Sequence, residues 1–216
     1  MREKFEPTPE EENDVEKVEI SGKEFLAILN SQDFLKALKT ASRETQKSGH
    51  EAGFHMQIDK DKSCQVSEVT EGGTDFMQHK YQEDMDGYHR EPTGSFMDLH
   101  FHPDIRGAIE PSATDLNLSR DFALLGIGGV KKDGNVDVLL IRKKSFISDN
   151  EISENIDKFI QDAYSPNISQ EEVMKYLDEN GFENFLIAFQ KDKKSLKLDE
   201  QSKNTILGIE KIKSKI

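Results

Sequence analysis

A single cysteine, Cys64, among 216 residues excludes an intramolecular disulfide framework and any zinc site built from clustered thiolates. No apolar run approaches the ~18 residues that a membrane-spanning helix requires, so no membrane partner is expected. The stretch from Met1 to Glu12 is acidic and lacks the apolar segment of a secretory signal, which makes the cytoplasm the expected compartment. Positive charge is also scarce: 29 Lys and Arg stand against 42 Asp and Glu, a formal net charge of −13. A sequence-independent nucleic-acid binder needs basic surface to replace the counterions around phosphates, so nucleic acid is not an expected partner.

What is present suffices for one compact core. Hydrophobic residues make up 34% of the chain and charged residues 33%. The length suits one domain with appendages rather than two full domains. Residues 1–17, with Pro7, Pro9 and a cluster of acids, read as a disordered tail. Residues 18–148 read as the folded domain, and residues 149–216 as a mainly helical C-terminal extension.

Within the domain, Val18 to Ile20 alternate as a short strand, and Ser21 opens a helix through Phe25, Leu26, Ile28 and Leu29. A second helix carries Phe34, Leu35, Leu38 and Ala41 on one face and ends at Gly49. Glu51–Ile58 and Cys64–Val69 read as strands joined by a turn over residues 59–62. Residues 71–95 form a long polar loop, and Ser95–His100 is extended again. Phe122–Val130 and Val136–Arg142 form a hairpin turning through Asp133-Gly134. Beyond it, residues 151–164 have the pattern of an amphipathic helix. Ser169 with Glu172 marks the start of another, which Gly181 ends. Phe185–Phe189 is a short buried strand or helix end. The Lys-rich segment from Gln190 reads as a solvated helix or tail. The order of elements suggests an α/β sandwich.

The chemistry concentrates in His100-Phe101-His102-Pro103 and Pro111-Ser112-Ala113-Thr114-Asp115. Side chains alternate along a strand, so His100 and His102 share a face, with Cα atoms roughly 6–7 Å apart. Met97, Leu99 and Phe101 then face the core, and Pro103 stops the strand. Ser112 is a natural N-cap, which places Asp115 one turn into a helix. Two histidines and an aspartate, with one position open, suit a catalytic zinc, which lowers the pKa of its water to about 7. Cleaving an amide also needs a proton acceptor and a donor for the developing oxyanion. Glu51 is the candidate base and Ser112 the candidate oxyanion donor.

The run His100-x-His102-Pro103 followed by Ser112-x-x-Asp115 resembles the signature of the JAB/MPN (JAMM) metalloprotease family, over about residues 18–146. The resemblance implies a cytidine-deaminase-like mixed β-sheet flanked by helices. It further implies zinc on His100, His102 and Asp115, a serine at Ser112 that steadies the intermediate, and a glutamate at Glu51, 49 positions before His100. It also implies hydrolysis of a peptide or isopeptide bond, extending to release of a ubiquitin-like modifier from a lysine, so the expected partner is a protein or peptide substrate. Two features depart from the family pattern. Nine residues, rather than seven, separate His102 from Ser112, and Gly53 follows Glu51 at two residues instead of three. Glu44, Glu68 and Glu71 are alternative bases.

Plainer readings stand beside these. The motif could be a strand-end histidine pair next to an unrelated helix cap. His50 and His55 read as surface residues or as neighbours of the ligands, and His79 and His89 as solvated loop residues. Asp98 shares the face of the ligand pair and could orient an imidazole. Cys64 reads as a buried strand residue. A non-catalytic scaffold of the same fold is one alternative function. A RadC-like DNA-associated protein is another, although that branch carries Asn where Phe101 stands and Ser-Gly where Asp104 and Ile105 stand.

Overall fold

The computed structural model describes residues 17–72, 95–103, 109–112, 115–116, 122–144, 169–192 and 195–215. Residues 1–16 of the expected N-terminal tail, the polar loop over 73–94 with His79 and His89, and the expected helix over 151–164 lie outside these residues, while Lys17, expected in the tail, belongs to the first strand.

The chain starts in β1 (Lys17–Ile20). Ser21 caps α1 (Gly22–Leu29): its hydroxyl accepts from the Glu24 N–H while the Glu24 carboxylate reaches back to the Ser21 N–H. Ser31 caps α2 (Gln32–Ser48), whose buried residues Phe34, Ala37, Leu38, Ala41 and Thr45 recur at helical spacing. Gly49 closes α2 and turns the chain into β2 (Ala52–Ile58). The expected strand over Cys64–Val69 is two short pieces, β3 (Cys64–Val66) and β4 (Thr70–Glu71), both paired with β2. Between them the Ser67 hydroxyl accepts from the His55 N–H, and the Ser67 N–H donates to the His55 carbonyl. A side chain thus replaces a backbone partner and the ladder breaks. Cys64 is half-buried rather than buried, and desolvation pushes its thiol up to about 11.

β5 (Ser95–Phe101) runs antiparallel to β2 and parallel to β6 (Leu124–Val130), which forms the expected hairpin with β7 (Val136–Lys143). Ser169 and Glu172 form the expected capping box of α3 (Gln170–Glu179). β8 (Phe182–Asp192), β9 (Ser195–Leu198), α4 (Glu200–Leu207) and β10 (Ile212–Lys215) follow.

The result is mixed α/β: an eight-stranded sheet in the order β3-β2-β5-β6-β7-β8-β9, with β4 alongside β2, and a separate β1–β10 ribbon. The central strands are buried on both faces. One face packs Phe54, Leu99, Leu124, Val138 and Phe189 against residues of α1, α2 and α4. The other packs Leu125, Ile127, Leu139 and Ile141 with Val173 and Leu177 of α3 and with Ile109 and Leu116. Among the described residues no helix is long and apolar enough to cross a membrane.

The expectation of a mainly helical C-terminal extension ending in a solvated helix or tail is corrected over the described residues. β8 and β9 continue the main sheet, and β10 pairs with β1 at the other end of the chain. Phe189 packs against Phe34, with ring centroids 6.0 Å apart. The Gly22 N–H donates to the Ile209 carbonyl, which joins α1 to the segment after α4. Leu196, Leu198, Ile206, Ile209 and Ile212 are all buried. At about 1.5–3 kcal/mol for each large apolar side chain removed from water, their burial rivals the whole net stability of about 5–15 kcal/mol typical of a domain.

Candidate metal centre

The site forms on the α3 side of the sheet, at the end of β5. Alternation sends Met97, Leu99 and Phe101 into the core under α1 and α2, and Asp98 and His100 to the opposite face. His100 is buried, and its cross-strand neighbours are Gly53 in β2 and Ile127 in β6. His102 lies just past the strand, ahead of Pro103, with its side chain 19% exposed.

Gly53 permits this close approach. A Cβ there would lie 2.5 Å from the Leu99 carbonyl oxygen and 2.7 Å from the His100 Cβ, where backbone cannot yield. Gly53→Ala is therefore expected to destabilise the protein by about 1–3 kcal/mol or more, as overpacking does, read by chemical denaturation. An unchanged denaturation midpoint would show that β2 and β5 can separate at His100 without cost.

The third member arrives on a separate segment. Ser112 and Asp115 form a reciprocal cap: the Asp115 N–H donates to Ser112 Oγ at 3.2 Å, and the Ser112 N–H donates to Asp115 Oδ2 at 2.6 Å. The Leu116 N–H donates to the Ser112 carbonyl at 3.1 Å, so Asp115 opens a helical turn as expected. Leu116 and Ile109 belong to the core cluster on this face, which anchors the segment on both sides of Ser112. The two extra residues between His102 and Ser112 therefore do not keep Asp115 from the histidines.

The three groups converge. His100 Nε2 lies 3.2 Å from His102 Nε2 and 3.1 Å from Asp115 Oδ1, and His102 Nε2 lies 3.4 Å from Asp115 Oδ2. A tetrahedron with metal–ligand bonds of ~2.05 Å has edges of about 3.3 Å, so these separations fit one ion bound by two imidazoles and a carboxylate. The buried His100–His102–Asp115 group could hold a metal ion. Its electrostatics favour positive charge at the centre. Burial alone would lower the His100 pKa, but Asp115 and then Asp98 hold it well above the ordinary imidazole value. Burial alone would raise the Asp115 pKa, but His100 and then His102 hold it far below the usual carboxylate range. A bound cation would take the place of the proton on His100, because metal ligands must be deprotonated.

Glu51 is buried at the entry to β2, and its carbonyl accepts from the Gly72 N–H beyond β4. Its Oε1 lies 3.8 Å from His102 Nε2. Of the alternative bases, Glu44 is engaged with Arg43 and lies within 4.0 Å of Lys47, and Glu68 and Glu71 are exposed. His50 is exposed. Asp98 stands next to His100, as the alternation in β5 allows, with its Oδ1 3.1 Å from His100 Nδ1, and His55 stands across from Asp98 in the β2–β5 register. The part of Ser112 that holds Asp115 Oδ2 is its backbone amide, which no side-chain motif can announce. Compared with known proteins, the chain matches no family model, and no curated protein and no solved structure is significantly similar to it.

Proposed function

We propose that the chain is a zinc-dependent hydrolase of the JAB/MPN type, cleaving a peptide or isopeptide bond and able to release a ubiquitin-like modifier from a lysine. The observation that carries the reading is the convergence of His100, His102 and Asp115, with a glutamate carboxylate 3.8 Å from His102. The mixed α/β architecture is compatible with it. Nitrogen and oxygen donors at tetrahedral spacing suit zinc among the common ions, whereas calcium and magnesium take oxygen sets of six or more ligands.

When bound, zinc supplies carbonyl polarisation and a water acidified toward neutral pH. Glu51 accepts the proton of the attacking water and returns it to the leaving amine, a transfer that needs a carboxylate within reach of the ligand atoms. Ser112 Oγ already accepts from the Asp115 N–H, which leaves the hydroxyl proton available for the developing oxyanion. Asp98 holds Nδ1 of His100, so Nε2 is the atom turned to the centre.

Zinc-loaded protein incubated with isopeptide-linked conjugates of ubiquitin-like modifiers, and with a peptide library, is expected to release products resolved by intact mass. Cleavage should stop with a chelator and resume when zinc is restored. Retention of every conjugate and peptide at full zinc loading would contradict the proposed activity.

A further inference from the structure

Alternation along β7 sends Val136, Val138 and Leu140 to the side of α1, α2 and α4, and Leu139 and Ile141 to the face that carries the metal centre. Asp137 shares that second face. Its Oδ2 lies 2.8 Å from the Lys131 ammonium, and its Oδ1 is buried with no hydrogen-bond donor among the described residues. Its neighbours across β6 and β8 are Gly129 and Ala188, neither of which carries a donor in its side chain. A buried carboxylate oxygen without a donor is costly to keep, so a donor from outside the chain is favoured there. The place of Asp137 relative to the histidines points to what brings it. The β5–β6 register pairs Phe101 with Gly128, so one further step along both strands sets His102 level with Gly129, and Gly129 pairs with Asp137. Asp137 thus stands two strand spacings, roughly 10 Å, from His102, and β6 puts no side chain between them. This is the carboxyl end of the parallel pair β5 and β6, where open α/β sheets take their ligands.

We propose that Asp137 is a specificity residue beside the metal centre and takes an arginine side chain of the substrate, with Lys131 holding its place in the free protein. The use of the site on a peptide substrate rests on the hydrolase reading, whereas the arginine site itself does not. Lys131 brings a single point charge to one oxygen. A guanidinium presents two parallel N–H groups and satisfies both oxygens of one carboxylate at once, a geometry that an ammonium lacks. Lys131 yields at little cost, because its side chain is 54% exposed and an exposed ion pair contributes little. The guanidinium then enters where the ammonium now lies. An extended chain advances about 3.3 Å per residue, so the ~10 Å from His102 puts the arginine within about three residues of the cleaved bond. The formal net charge of −13 favours a basic substrate in the same sense.

Two measurements test the site and its use separately. The first needs neither zinc nor hydrolysis. Nα-acetyl-arginine amide titrated into the native protein should shift the side-chain carboxyl carbon resonance of Asp137, assigned by its loss in Asp137→Asn. The neutral isostere Nα-acetyl-citrulline amide should leave that resonance in place. Lys131→Ala should tighten the arginine response about 2- to 5-fold, since the competing exposed pair is gone. An unmoved resonance, equal responses to the two amides, or a weaker response in Lys131→Ala would overturn the proposal. The second measurement uses zinc-loaded protein and peptides that carry arginine or citrulline at positions flanking the cleaved bond. At one such position the native protein should favour arginine about 10- to 100-fold in kcat/KM, as expected for hydrogen bonds to a charged group, and Asp137→Asn should bring the ratio to unity. A native protein that cleaves both series equally would overturn the proposal and leave the hydrolase reading standing. Arginine binding at Asp137 with no peptide cleaved would instead sink the hydrolase reading and leave the arginine site standing.

Discussion

His102→Ala is expected to fold as the native chain does and to retain no zinc. In the proposed zinc centre His102 would supply one of three protein ligands, and two ligands do not hold zinc against desalting, so occupancy should fall from about one per chain to none. The fold should survive because His102 lies beyond the end of β5 with its side chain 19% exposed and adds nothing to either core cluster. Replacing the other two ligands disturbs more. His100 and Asp115 face each other at 3.1 Å in the interior, and removing one partner of a buried ion pair costs about 3–5 kcal/mol. Asp115→Asn is the milder alternative, since an amide oxygen can still accept from the Ser112 N–H. Elemental analysis after desalting, with circular dichroism on the same samples, reads both effects. Full zinc in a folded His102→Ala protein would remove His102 from the ligand set.

Glu51→Gln should give the opposite pattern: native zinc content and little or no hydrolysis. The amide is isosteric with the carboxylate but cannot accept the proton of water, and loss of a positioned base typically costs 10²–10⁴-fold in rate. Glu51 is not needed as a ligand, because His100, His102 and Asp115 already stand 3.1–3.4 Å apart, whereas Glu51 Oε1 lies 3.8 Å from His102 Nε2. Ser112→Ala provides the internal comparison. It should also keep zinc, because the amide of residue 112, not its hydroxyl, holds Asp115 Oδ2. Its rate should fall by roughly 10²–10³-fold, as for one oxyanion donor. It should also lose about 0.5–2 kcal/mol of stability, because the hydroxyl caps the turn that carries Asp115. Rates measured on one cleavable conjugate compare all three proteins. Native turnover in Glu51→Gln would place the base elsewhere.

Much of this arrangement was legible in the sequence because its signals are local. The helix start at Ser21, the capping box at Ser169–Glu172, the apolar face of α2 and the alternation Met97, Leu99, Phe101 against Asp98, His100 each lie within a few residues. The convergence of His100, His102 and Asp115 was legible for the same reason: a His-x-His strand end and a Ser-x-x-Asp cap are each short patterns.

What was missed depends on distant pairing. In β9 only Leu196 and Leu198 mark a buried face, alternating with the exposed Ser195 and Lys197 in a run otherwise charged. Two apolar residues in four are too few to reveal a strand without knowing that β8 lies beside it. The β1–β10 pairing joins Lys17 to Lys215 and has no local signal at all. His55 faces Asp98 only because β2 and β5 pair in one register, which shifts between Met56 and Gln57 and so could not be counted off from either strand alone.

The central claim, that His100, His102 and Asp115 form a zinc centre, is tested most directly by counting zinc atoms in the native protein and in Asp115→Asn after identical zinc loading and desalting. The variant controls for loosely held zinc, which a chain with a formal net charge of −13 attracts to its surface. The account predicts about one zinc per native chain and none in the variant. No retained zinc in the native protein, or equal zinc in the two, would contradict it.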